Sequence, residues 1–71
     1  MESIGQKIRN NRKSQNLTMF QLAVKSGVSS EYIGKLEREN ITNIGIETLQ
    51  KIATALGVTL RDLIPENQEV A

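Results

Sequence analysis

Apolar residues return every three or four positions along most of the chain. Ile4 and Ile8 form one stripe, Leu22 and Ala23 a second, and Ile33 and Leu36 a third. Ile46, Leu49, Ile52, Ala53 and Leu56 form the longest. This is the period of amphipathic helices, and no stretch of period-two alternation competes with it. The start signals agree. Ser3 precedes Gln6 by three residues, Thr18 precedes Gln21 and Thr59 precedes Asp62. At that spacing a side chain and a backbone N–H satisfy each other reciprocally. Apolar residues bracket the caps as staples: Leu17 and Leu22 around Thr18, Val28 and Ile33 around Ser29, Ile44 and Leu49 around Gly45, Val58 and Leu63 around Thr59. Asn16, Gly27, Asn40 and Gly57 stand where a left-handed residue ends a helix, and Pro65 closes the last one. The pattern predicts five helices, over 3–15, 18–25, 29–38, 46–56 and 59–64. Leu17, Val28, Val58, Leu60, Leu63 and Ile64 fill the joints of this all-α fold. Residues 1–64 form the domain, and 65–71 are read as a C-terminal tail.

The second and third helices are joined by Ser26-Gly27-Val28. Two short helices with a glycine in a turn of about three residues make a helix-turn-helix. Ala23 is small enough for close approach of the two helices, and Val28, Ile33 and Leu36 anchor the second. The hairpin alone serves equally for DNA binding or as a structural element.

Composition narrows the chemistry. The chain has 71 residues with neither cysteine nor histidine. Disulfides and thiolate metal sites are excluded, and the commonest zinc ligand is missing. With no Gly-rich phosphate loop and no clustered carboxylate pair, an enzyme is not expected, nor is a metal or cofactor. No apolar run is long enough to span a membrane, and the first residues lack a signal-peptide pattern, so a cytoplasmic protein is expected. The net charge of +1 hides an unequal split. Residues 1–40 carry seven cations against four anions, and the remainder two against four. The basic part suits an anionic partner.

The sequence resembles the phage-repressor and Cro family of DNA-binding domains, the XRE family, across residues 3–64. The resemblance rests on Ile8-Arg9 with Arg12-Lys13, then Leu17-Thr18-Met19-Phe20-Gln21-Leu22-Ala23, then Ser26-Gly27-Val28-Ser29, then Tyr32-Ile33 with Leu36-Glu37-Arg38. It continues in Glu47-Thr48-Leu49, Lys51-Ile52-Ala53 and Ala55-Leu56-Gly57-Val58. It implies a compact five-helix, lambda-repressor-like domain whose third helix enters the major groove of double-stranded DNA. Ser29, Ser30, Glu31 and Lys35 would then face base edges. Lys35 is chemically suited to guanine, Glu31 to cytosine N4 and Ser30 to either. Without DNA, Glu31 and Lys35 are expected to form an i,i+4 ion pair worth roughly 0.2–0.5 kcal/mol. Backbone contacts would come from Thr18, Met19 and Tyr32, and from Arg38, Asn40, Thr42 and Asn43 after the third helix. Tyr32 fits a core position as well as a phosphate contact. Arg9 and Lys13 fit a solvated face better. Gly34 is explained either by close backbone approach to DNA or by packing. The family also pairs an arginine at the place of Arg12 with a glutamate at the place of Glu37, a structural ion pair.

The chain departs from the family pattern at three places. Met19 stands where a glutamine usually touches a phosphate, and Phe20 follows it. Two exposed apolar residues there are either surface drift, a patch for a protein partner, or apolar contact with DNA. The segment from Glu39 to Gly45 is about one residue longer than the commonest form, a length also found in the branch of sporulation and biofilm regulators. Finally, many repressors of the family carry a second domain for dimerisation or sensing, whereas only 65–71 follow the domain in this sequence, and no sensor of its own is expected. The expected function is a small transcriptional regulator binding an inverted repeat as a homodimer. The alternative is an antitoxin or other interaction protein using Met19 and Phe20.

Overall fold

A computed structural model describes residues 3–39, 41 and 43–64. Among these residues the chain is helical and contains no strand. The helices are α1 (Ile4–Ser14), α2 (Met19–Ser26), α3 (Ser30–Arg38), α4 (Ile46–Leu56) and α5 (Leu60–Leu63). Each lies within a residue or so of the range the pattern predicts. No helix among the described residues is long and apolar enough to cross a membrane.

The caps account for those boundaries. Thr18 and Gln21 close a full capping box at α2, as Thr59 and Asp62 do at α5. Ser3 and Ser29 each accept one backbone N–H, from Gln6 and Tyr32. Gly27 and Gly57 end α2 and α4 at φ 75° and 71°. Asn16 follows α1 at φ 57°, as the pattern anticipates. The end of α3 differs. Glu39 leaves the helix in extended conformation, φ −104° and ψ 143°. Asn40 and Pro65, read as stop signals, and the tail 65–71 lie outside the described residues.

The core joins all five helices. Ile8, Leu22, Ile33, Leu36, Ile52 and Leu63 are fully buried at its centre. Helix α3 packs between α1 and α2, while α4 backs α2 and carries α5. Ile46 corrects the core assignment. It stands on the first residue of α4 and is 67% exposed. Ile44, just ahead of the Gly45 cap, packs on the core at that end instead.

A contact with no counterpart in the sequence pattern fixes the crossing of α1 and α3. Gly5 is buried, and a Cβ on it would collide with the Leu36 carbonyl. The two backbones touch there because Gly5 has no side chain. Gln15, at the end of α1, ties that helix to α4, its Nε2 donating to the Leu56 carbonyl at 2.6 Å.

Candidate nucleic-acid interface

The turn that orients α3 is built locally. After Gly27 turns the chain, the buried Ser26 hydroxyl accepts the Val28 N–H at 3.2 Å. Val28 packs against the core and Ser29 starts the next helix. This holds the starts of α2 and α3 on a common face.

That face is a shallow concavity lined by Met19, Phe20, Ser29, Ser30, Glu31, Tyr32, Lys35, Arg38 and Glu39. It gathers all four residues assigned to base edges, together with Met19, Tyr32 and Arg38. Thr18, the cap of α2, is exposed but does not line it, and its hydroxyl and N–H are both committed to Gln21. The capping bonds leave the N–H groups of Met19 and Phe20 without intrahelical acceptors, and likewise those of Ser30 and Glu31. Two helix N-termini, each with partial positive charge, therefore open on the same concavity beside Lys35 and Arg38.

Several side chains sit differently from expectation. Glu31 and Lys35 are exposed and form no ion pair, because an attraction this small in water does not repay fixing two long side chains. Met19 is not a surface residue: it is half-buried and packs against the core. Phe20 is exposed at 69%. Val24, which the pattern left unremarked, is equally open at 68%. With Leu17, Gln21 and Lys25, these two residues line a second, mainly apolar depression on α2. Tyr32 packs on the core and also lines the concavity. Asn43 is exposed but does not line it. Asn40 and Thr42 lie outside the described residues.

Arg12 and Glu37 meet behind this face. Arg12 Nε and Nη2 donate to the two Glu37 carboxylate oxygens, each at 2.8 Å. Arg12 Nη1 donates to the Leu17 carbonyl, also at 2.8 Å. The side chains are 8% and 2% exposed. The Glu37 hydrogen bonds hold the arginine proton more tightly than usual, against the opposing effect of burial. One guanidinium thus ties α1, the α1–α2 joint and α3 together. Among the described residues no group of carboxylates is placed to hold a metal ion.

A glycine-hinged helix pair, braced by a third helix through a buried arginine, defines a helix-turn-helix domain. The helix-turn-helix family model matches residues 8–63, and the chain belongs to this family, in its Cro/C1 (XRE) type. The transcriptional regulator SinR of Bacillus subtilis is 36% identical over 66 residues, which cover 93% of this chain and 60% of that regulator. The chain therefore spans less than two-thirds of that relative's length. The control protein C.BamHI of Bacillus amyloliquefaciens is 36% identical over 84% of this chain and 74% of its own. A crystal structure of SinR in complex with DNA superposes with a TM-score of 0.80, at 37% identity. That match covers 84% of this chain and 95% of the other.

Proposed function

We propose that this protein binds double-stranded DNA sequence-specifically and regulates transcription by occupying sites near promoters. Helix α3 lies in the major groove, with Ser29, Ser30, Glu31 and Lys35 toward base edges. The observation that carries this reading is the meeting of two helix N-termini, Lys35 and Arg38 on one open concavity. Such a face suits phosphates at its margins and bases at its centre. Thr18, Met19, Tyr32, Arg38, Asn40, Thr42 and Asn43 are the proposed backbone contacts. Arg12 and Glu37 hold the face in shape without touching DNA. The relatives' regulatory names and the DNA complex of SinR support the same assignment.

A single domain of this kind reads few base pairs, so we propose a homodimer on an inverted repeat, with half-sites about 34 Å apart. Leu63 is fully buried, which leaves Leu60 and Ile64 as partly exposed apolar residues of the last helix and its end. A cytoplasmic setting, with no enzymatic activity, follows from the same reading. The open side chains of Phe20 and Val24 favour a second reading, in which an antitoxin-like chain holds a protein partner on α2. Titrating isotope-labelled protein with DNA duplex separates the two. The DNA reading predicts amide shifts at residues 18–20 and 29–38. Shifts absent from that face would reject it.

A further inference from the structure

Arg38 and Gly34 are one helical turn apart on α3. A helical side chain leans toward the N-terminus, over the residue four positions earlier. Here that residue has no Cβ. The Arg38 guanidinium lies so close over it that a Cβ built on Gly34 would stand 2.9 Å from Nη1 and 3.6 Å from the guanidinium carbon. The same Cβ would be 3.4 Å from the Met19 sulfur. Arg38 and Met19, from different helices, thus converge on one patch of bare backbone. Gly34 is buried beneath them, although Arg38 as a whole is exposed. Among the described residues Arg38 has neither a hydrogen bond nor an ion pair to hold it elsewhere.

We infer that Gly34 and Met19 are positioning residues that seat the Arg38 guanidinium across the concavity, ready for a DNA phosphate. This rests on the DNA-binding reading and adds a cause for two departures, Gly34 from ordinary helix composition and Met19 from the family pattern. A glycine inside a helix is unfavourable relative to alanine by roughly 1 kcal/mol. The seat gives that glycine a use. Met19 cannot donate to a phosphate, but its polarizable thioether makes an adaptable wall beside the cation. The donor at the start of α2 is then supplied from α3, by Arg38. A guanidinium already held in place loses less freedom on binding than a free one.

The test is a double-mutant cycle with Gly34→Ala and Arg38→Ala on a mixed-sequence DNA duplex at low salt, since phosphate contacts do not depend on sequence. The added methyl meets the far end of a flexible side chain, so Gly34→Ala should fold and melt no lower than the parent. It should weaken binding about threefold to tenfold, and flatten the plot of log affinity against log salt by about 0.9, the value of one phosphate contact. In the Arg38→Ala background the same change should cost nothing further. Loss of equal size in both backgrounds would mean that the methyl itself meets DNA. That result, or no loss at all, would overturn the seat. A measurement without DNA stands beside it: nitrogen relaxation at Arg38 Nε should report an ordered side chain in the parent and a mobile one in Gly34→Ala. A mobile parent side chain overturns the seat alone. An ordered side chain in a protein that binds no duplex upholds the seat and rejects the DNA reading.

Discussion

Arg12 and Glu37 are 25 positions apart in the chain and meet through two parallel hydrogen bonds of 2.8 Å in the protein interior. A third bond, to the Leu17 carbonyl, leaves the guanidinium fixed in its plane. Such a pair does not by itself guarantee net stability, since both charges lost their water on burial. Removing one partner is another matter, because the other is left buried and unpaired. Arg12→Ala should lower unfolding free energy by about 3–5 kcal/mol. Chemical denaturation measures this. An unchanged midpoint would contradict a bracing role.

Gly5 predicts a loss of similar kind from the opposite cause. Its Cα rests against the Leu36 carbonyl, and alanine cannot fit without moving α1 off α3. Gly5→Ala should destabilise by at least about 1–3 kcal/mol, even though alanine is the better helix former. A variant as stable as the parent would show that the helices do not cross so closely.

Ile46 tests the core from outside. With its side chain 67% exposed, Ile46→Ser should change stability by no more than about 0.5 kcal/mol. Leu49→Ala, one turn later and buried, should lose about 2–5 kcal/mol. Equal losses would restore Ile46 to the core.

Asp62 gives the fold a small acid dependence. Its carboxylate accepts the Thr59 backbone N–H at 2.9 Å, which holds its pKa below the ordinary 3.8, with a smaller contribution from Lys7. A lowered carboxylate pKa stabilises the folded state above the unfolded value. That contribution disappears as pH falls through the folded one. The melting temperature of the parent should therefore exceed that of Asp62→Asn at neutral pH and converge with it below pH 3.8. A difference that does not change with pH would remove the charge from the explanation.

The helices were legible because their punctuation is chemical. Thr18, Thr59, Gly27 and Gly57 each solve a local problem at a helix end, and local problems show in local sequence. That Ser29, Ser30, Glu31 and Lys35 share one face is what the family resemblance implies, carried over by position, and the structure gathers them in one concavity. Tertiary contacts leave no such local trace, and the Arg12–Glu37 pair is expected only through the family resemblance. Nothing near Gly5 announces that Leu36 passes behind it. Gly34 fits two explanations in the sequence, and the placement of Arg38 and Met19 over it is visible only in the fold. Ile46 has the right angular position for the core, but periodicity carries no information about where the neighbouring elements stop. Met19 looked like surface for a related reason: its burial comes from α3 and the core, not from its own helix.

The central claim is that the α3 face reads DNA sequence. It is tested most directly by selecting bound duplexes from a random pool at two salt concentrations, with the parent and with Lys35→Ala. An enriched motif is predicted for the parent, with affinity falling steeply as salt rises. Lys35→Ala should keep the fold and lose preference at one position of the motif, a change of about 1–3 kcal/mol there. No enrichment by the parent at either salt concentration, or an unaltered motif with the variant, would contradict the account.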